Sequence, residues 1–410
     1  MTHKKNLRAA FWVLGVLLFA ALARDFLANG RPLYCRIAGE SHWPGLRTVW
    51  KDPGAAFVHP VLDSIRRNDL WKTFPYETSV FAPIPFSPGE IAKPPFRPQT
   101  TPAKPGTIHP QLSARFRHWL GTDDRGRDVA AGLISGARTA VLTGVTAMAM
   151  AVGIGLLLGA LAGFWGDDRL RVRRGRLWLT LLGLLPAWFY VFVARSYELE
   201  AGRWTDWAVS IALFVFIILV FNSLGAIVSR FSFLKKNVVV PTDLIIMRLA
   251  ELFHSIPKLI FIFVVAALLP KERQSIWILI ALIGAMSWTS VARYVRADLL
   301  RVRELDFVTA ARGLGFSEWR ILWRHALPNA LRPTMIAFAF GVAETVILET
   351  SLSFLGFGGG TYNASWGTLL NSARANVTAW WVALPPGLAI CLTVLTLNAI
   401  GEAMSEDKKR

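Results

Sequence analysis

Cysteine is scarce in this 410-residue sequence, which contains only Cys35 and Cys391. Cys35 lies in a polar stretch and Cys391 in an apolar block, so neither a disulfide framework nor a cysteine-rich metal site is expected. The sequence contains no GxxxxGK[ST] phosphate-binding loop, and its seven histidines are scattered and form no HExxH helix. We therefore predict a chain that is not an enzyme, does not itself hydrolyse ATP, and has no cofactor or metal.

Acidic residues are also few, because 27 Asp and Glu stand against 45 Lys and Arg, which gives a formal charge of +18. In a soluble protein this excess would point to nucleic acid. Here the basic residues lie at the ends of apolar blocks, where Lys and Arg hold membrane segments on the cytoplasmic side. We therefore expect a lipid bilayer as the surroundings of the chain and no nucleic-acid partner.

The apolar residues are concentrated in eight blocks of about 15 to 27 residues, long enough to cross a bilayer as helices. The blocks are 9–23, 137–163, 177–194, 207–228, 256–269, 276–291, 333–354 and 381–400. This pattern predicts an all-α polytopic membrane protein. The first block is either an uncleaved anchor over residues 1–27 or a secretory signal cleaved after Ala23. The seven further blocks favour the anchor.

The basic loops predict the orientation of the spans. Arg169–Arg176, Arg293–Arg332 and the tail 402–410 are rich in Lys and Arg, so we place them in the cytoplasm together with both chain ends. The polar segment 28–136 then lies outside. Its stretch from Phe81 to Gly106 contains eight prolines and is expected to be extended or irregular rather than one helix.

The longest cytoplasmic loop has the pattern of two short helices. The first should run through Ala310 and Ala311 and be broken by Gly313 and Gly315, since glycine readily adopts left-handed backbone angles. Ser317 is a suitable N-cap for the second helix, and Pro328, Asn329 and Pro333 mark its end. Small residues on the first helix would let a partner approach closely, and Ala311 is expected to face that partner.

This loop resembles the EAA loop of ABC importer permeases. The matching residues are Thr309, Ala310, Ala311, Gly315, Leu327 and Pro328, with Thr309 where the family has Glu. The segments His118–Val129, Glu349–Gly358 and Ser365–Gly367 resemble those of oligopeptide/dipeptide-type permeases, specifically the C-type subunit. The long outer segment that begins near Ala28 is similar to the microcin C/peptide-type branch.

The resemblance implies the type I ABC importer transmembrane fold over 137–401, with about eight spans: a six-span core and an inserted hairpin over 177–228. It implies a multi-pass subunit of the bacterial inner membrane that forms half of a translocation pathway with a second permease subunit, as a heterodimer. Two ATP-binding cassette ATPase subunits would bind the coupling loop 293–332, and an external binding protein would deliver a peptide-like substrate. A metal chelate or a peptide-like antibiotic is the alternative solute.

Two acidic residues, Glu344 and Glu349, lie within the block 333–354. Charged groups at membrane depth often line substrate paths, and Glu349 is the stronger candidate for that role. The alternative is a structural Glu349 that is solvated or ion-paired near the outer interface.

Other functional classes fit the sequence less well. Asp123 and Asp128 could suggest a catalytic or metal-binding pair, but Arg125 and Arg127 lie close by, so an ion-paired structural turn is the favoured interpretation. A secondary transporter needs no cytoplasmic docking loop and would bury more ion-coupling carboxylates. A membrane enzyme needs a convergent set of catalytic groups, which the sequence does not offer.

Overall fold

The computed structural model describes residues 2–46, 57, 59–91, 102–108, 112–200, 204–229, 231, 234, 236–270, 274–358 and 364–406. The chain divides into two compact units. The first comprises residues 1–157, 251–295 and 328–410, and the second comprises 158–250 and 296–327. Residues 92–101 of the proline-rich stretch and the last four residues of the predicted tail lie outside the described residues.

Helices account for most of the described chain. They are α1 (Thr2–Leu22), α2 (Arg24–Leu27), α3 (Pro60–Asn68), α4 (Val129–Trp165), α5 (Arg174–Trp188), α6 (Ser196–Glu200), α7 (Trp204–Val228), α8 (Thr242–Ser255), α9 (Lys258–Leu268), α10 (Ile276–Val302), α11 (Asp306–Gly313), α12 (Glu318–Ile321), α13 (Leu327–Asn329), α14 (Leu331–Phe354), α15 (Trp366–Ala373) and α16 (Trp380–Glu406). Two π-helical segments are Phe189–Ala194 and Leu322–Ala326. The strands are β1 (Tyr34–Ile37), β2 (Glu40–His42), β3 (Thr78–Val80), β4 (Thr107–Ile108), β5 (Arg117–His118), β6 (Arg171–Arg173) and β7 (Asn237–Val239).

Six described helices are long and apolar enough to cross a membrane: α4, α5 with its π-helical extension, α7, α10, α14 and α16. The pair α8 and α9 qualifies as a seventh when taken together, with a bend of 74° at the junction. The apolar part of α1, Leu7–Leu22, is shorter. These helices coincide in sequence with the eight predicted blocks. The all-α polytopic class is confirmed, and the count of eight spans stays a prediction.

The outer segment contains a small antiparallel sheet in the order β2-β1-β3. Cys35 pairs with His42 on one side and with Ser79 on the other. Helix α3 covers one face of this sheet, and a buried apolar cluster forms between them. The buried members of the cluster are Cys35, Ile37, Leu62, Ile65 and Trp71. The described part of the proline-rich stretch contains no helix, as the prolines predict.

Close helix contacts depend on the glycines of α4. In the first unit, a Cβ added at Gly155 would lie 2.7 Å from Cβ of Val291. In the second unit, a Cβ at Gly163 would lie 2.7 Å from the carbonyl oxygen of Arg296. Neither position has room for a side chain, so the backbone of α4 packs directly against the neighbouring helix. These two glycines therefore let the neighbouring helix approach closely.

The predicted inserted hairpin consists of α5 and α7 lying side by side in the second unit. Their contact is tight at Gly183, where a Cβ would come within 2.6 Å of Phe221. Pro186 lies inside α5, shortly before the helix continues as a π-helical segment. At the base, β6 and β7 pair antiparallel, with Arg171 opposite Val239. The two chain ends of the hairpin are therefore held together by a short ribbon.

Candidate coupling loop and translocation path

The loop between α10 and α14 has the predicted helix–glycine–helix form. Helix α11 ends at Gly313, and Gly315 follows with φ of +78°, a conformation that glycine adopts without a Cβ penalty. The side chain of Ser317 accepts a hydrogen bond from the backbone N–H of Arg320 and so caps α12. An ion pair of 2.8 Å between Arg312 and Glu318 joins the two helices. This local prediction is confirmed.

The predicted end of the second helix is confirmed, because helical backbone stops at Asn329. Helical backbone continues from α12 through the π-helical segment and α13, so Pro328 lies inside a helix. The interruption comes at Ala330, with φ −93° and ψ 2°, and α14 starts at Leu331. Pro333 then falls in the first turn of α14, where a missing backbone N–H breaks no intrahelical hydrogen bond. Pro328 thus lies just before the end of the second helix, and Pro333 lies just after it.

Aromatic and polar contacts hold the loop against the end of α4 within the second unit. The rings of Trp165 and Trp319 lie 4.8 Å apart between centroids. The Arg312 guanidinium lies 5.8 Å from the centre of the Phe164 ring. Arg303 donates a hydrogen bond of 3.2 Å from Nη1 to the Gly163 carbonyl. The loop and the end of α4 thus form one packed element.

The outward face of α11 differs from the predicted one. Ala311 is 6% exposed and faces the interior of the second unit, so the expectation that it meets a partner is wrong. Thr309 and Ala310 are exposed instead. Phe307 and Leu314 are also exposed, with Leu314 reaching 74%. The helix phase, which sequence spacing alone did not fix, places Ala310 rather than Ala311 on the open side. At the end of the loop, Leu327 is buried and Pro328 exposed.

A cavity of about 370 Å³ lies among the membrane-spanning helices of the first unit. Helices α4, α9, α10, α14 and α16 contribute to its walls. Its polar and charged lining residues are Lys258, Ser287, Ser290, Tyr294, Glu344 and Ser405. The remaining lining is mostly apolar, and includes Met148 and Phe340. The cavity combines an apolar wall with a few polar groups, which is typical of a small-molecule site.

The charged groups of this cavity are paired. Lys258 Nζ lies 2.8 Å from Glu344 Oε1, although the two residues are 86 positions apart in sequence. The Lys258 side chain is 18% exposed and that of Glu344 is 52% exposed. Each charge is therefore compensated by the other, while the carboxylate remains open to the cavity.

Glu349 occupies a different environment. It is 3% exposed, and its Oε1 accepts a hydrogen bond of 2.6 Å from Ser353 one turn later on α14. It does not line the cavity. The sequence favoured Glu349 over Glu344 for the substrate path, but the structure brings Glu344 to the cavity. A path role for Glu349 stays a prediction.

The acidic cluster before α4 is a structural turn. Asp123 accepts backbone N–H bonds from Arg125 and Arg127 and a bond of 2.7 Å from Arg127 Nε. Asp128 accepts the backbone N–H of Ala131 at 2.7 Å and so caps the start of α4. These carboxylates are occupied by intrachain partners, which confirms the interpretation as a structural turn.

Comparisons with known proteins agree with this arrangement. Residues 223–406 match the family described as the binding-protein-dependent transport system inner membrane component. A relative from Brucella suis biovar 1, named as a peptide permease, is 30% identical over 294 residues, which cover 71% of this chain and 72% of the relative. The chain belongs to this ABC permease family. It is therefore a multi-pass subunit of the inner membrane and not an enzyme.

Two further relatives cover nearly the whole permease. A peptidoglycan transport system permease from Agrobacterium fabrum is 25% identical, with 97% of this chain and 87% of the relative covered. An inner membrane ABC transporter permease from Escherichia coli is 25% identical, with 98% and 93% covered. Both alignments extend over nearly the whole of this chain. As an ABC permease, the chain works with other ABC transporter subunits.

Proposed function

We propose that this permease forms half of the translocation pathway of an ATP-driven peptide importer. A second permease subunit supplies the other half, and two ATPase subunits bind on the cytoplasmic side. An external binding protein delivers the substrate. The observation that carries the proposal is the exposed, small-residue face of α11 in a loop that is packed onto a membrane-spanning helix.

This face suits a closely approaching protein. A Cβ added at Gly313 or Gly315 would meet no other atom within 4 Å, so both positions are open. The exposed side chains of Phe307 and Leu314 flank the small residues and supply apolar area. Burial of such area favours association by about 25 cal/mol per Å². We infer that an ATPase subunit covers this face and moves it during the ATP cycle.

The cavity supports a zwitterionic or amphipathic solute. A peptide has an ammonium group and a carboxylate in addition to its side chains, and Glu344 and Lys258 can bind one each when their own ion pair opens. The apolar wall can contact side chains without selecting a sequence. Names of the relatives point the same way, since they refer to peptide and peptidoglycan transport.

The decisive experiment is purification of the assembled complex from its native membrane, with identification of the co-purifying chains and of the bound ligand by mass spectrometry. We expect a second permease, an ATPase, a binding protein and a peptide. A metal chelate or a peptide-like antibiotic in place of the peptide would contradict the proposed substrate but not the proposed role as an importer subunit. Absence of an ATPase from an intact complex would refute the coupling role.

The cavity is tested by removal of both charges. The double variant Lys258→Met and Glu344→Gln removes both charges, so neither is left in the cavity without its partner. We expect normal assembly and basal ATPase activity with reduced peptide transport. The matched control, Arg36→Met with Glu77→Gln, removes an ion pair of the outer segment that lies outside the cavity, and should transport like the wild type. Wild-type transport by the double variant would exclude the cavity from the path.

A further inference from the structure

Three metal-ligating side chains meet in the outer segment, and none of them belongs to the coupling loop or to the cavity lining. They are Glu40, His42 and His59, and one ligand atom from each lies within 4.8 Å of the others. His42 Nε2 is 3.8 Å from Glu40 Oε2, and His59 Nε2 is 4.0 Å from the same oxygen. The two imidazole rings lie 4.8 Å apart between centroids. The residues are up to 19 positions apart, so sequence spacing gave no metal signature.

The fold fixes the positions of these groups. Glu40 and His42 are two residues apart on β2 and therefore project from the same face of the sheet. This is the face that α3 covers, since Ile37 and Cys35, which pair with Glu40 and His42, belong to the buried cluster beneath α3. His59 immediately precedes α3 and is followed by Pro60, which restricts the His59 backbone to the extended conformation seen there.

One ring nitrogen of each histidine is available to bind a ligand. His42 Nε2 and His59 Nδ1 are buried and have no hydrogen-bond partner among the described residues. A buried polar atom without a partner costs free energy, so natural proteins rarely retain one without use. The side chains of His42 and His59 are 18% and 24% exposed, whereas that of Glu40 is 70% exposed. The cluster therefore has a protected imidazole side and an open side.

We propose that Glu40, His42 and His59 bind one Zn²⁺ ion. Two imidazoles and one carboxylate are a common zinc ligand set, and zinc with three protein ligands keeps a fourth position for water or another group. Tetrahedral ligands at about 2.0 Å from zinc lie about 3.3 Å from one another. The two measured separations exceed this value by less than 1 Å, which a rotation of the exposed Glu40 side chain can remove. The ion would link β2 to the start of α3.

The test uses the full-length permease in nanodiscs, purified with a histidine-free tag. Co²⁺ serves as a spectroscopic probe for the zinc site, and Zn²⁺ as competitor. We expect one Co²⁺ per chain with the visible absorption of a tetrahedral site, displaced by Zn²⁺. Removal of a group that only hydrogen-bonds to a metal ligand weakens metal sites by about 10 to 100-fold. Loss of a direct ligand in His42→Ala or His59→Ala should therefore weaken binding at least tenfold.

Two further variants keep the test decisive. Glu40→Gln changes one exposed atom and should fold normally even if the histidine variants do not; we expect about tenfold weaker binding from it. His254→Gln alters a histidine on α8, outside the cluster, and should bind Co²⁺ like the wild type. The proposal would be overturned if the wild type showed no saturable Co²⁺ binding. It would also be overturned if Glu40→Gln and a folded His42→Ala variant both bound Co²⁺ as tightly as the wild type.

Discussion

Substitution of Ala310 by Asp tests the proposed docking face of the coupling loop, and substitution of Ala311 by Asp tests the loop's interior. Ala310 is exposed on α11, so an aspartate there stays in water in the isolated permease and should leave the fold intact. The neighbouring Ala311 is 6% exposed. Asp at that position would bury a carboxylate inside the second unit and destabilise the permease itself. Asp at position 310 should therefore impair binding of a partner, whereas Asp at position 311 should impair the stability of the permease.

The expected magnitude follows from desolvation. If an ATPase subunit covers Ala310, the new carboxylate loses water without gaining a partner, which costs several kcal/mol. A cost of about 3 kcal/mol lowers the docking constant about a hundredfold, because each 1.4 kcal/mol is a factor of ten. Thr309→Glu is the matched control. Thr309 is also exposed, and glutamate is the residue that the resemblance expects at this position, so this charge should be tolerated.

The assay is ATPase stimulation by binding protein and substrate in the reconstituted complex, with ATPase binding measured separately. We expect Ala310→Asp to insert and unfold like the wild type but to lose binding and stimulation. Ala311→Asp should show a lowered unfolding temperature before any subunit is added. Wild-type stimulation by Ala310→Asp would refute the reasoning, since the open face of α11 would then not be covered by an ATPase.

Two other predictions concern the outer and cytoplasmic sides. Burial raises the pKa of the Cys35 thiol from 9.0 to about 11, which lowers its thiolate fraction at pH 8 about a hundredfold. Iodoacetamide should therefore label Cys35 at least a hundredfold more slowly in the folded permease than in the denatured chain. Equal labelling rates would contradict the burial of Cys35 in the sheet. A cysteine placed at the exposed Ser317 should react with an impermeant maleimide only in inside-out vesicles. Labelling in intact cells would contradict the predicted cytoplasmic position of this loop.

Much of the fold could be predicted from the sequence because its strongest signals are local. Blocks of apolar residues gave the positions of the membrane-spanning helices, since every backbone polar group in a bilayer must be satisfied within a helix. The break at Gly315 and the cap at Ser317 were also predictable, because a left-handed turn and an N-cap depend on one residue each. These features need no knowledge of distant parts of the chain.

The candidate sites depend on long-range contacts, which one sequence does not show. The sequence favoured Glu349 over Glu344, whereas in the structure Glu344 pairs with Lys258 on another helix and lines the cavity. The choice between Ala310 and Ala311 rests on the rotational phase of α11, which its packing sets. His42 and His59 come together because α3 covers the sheet. In each case the decisive neighbour is far away along the chain.

We predict that the hairpin of α5 and α7 is an insertion that the transport core does not require. The backbone N–H of Val240 donates to the Leu170 carbonyl at 2.9 Å, so the chain leaves and returns at nearly one point. Replacement of residues 171–239 by two glycines spans this gap, because consecutive Cα atoms lie about 3.8 Å apart. We expect the shortened permease to insert, assemble and retain ATPase stimulation. Deletion of 177–194 alone removes one span and should invert everything after it, so this variant should not assemble. An assembled 171–239 deletion complex without transport would show that the hairpin takes part in the transport cycle.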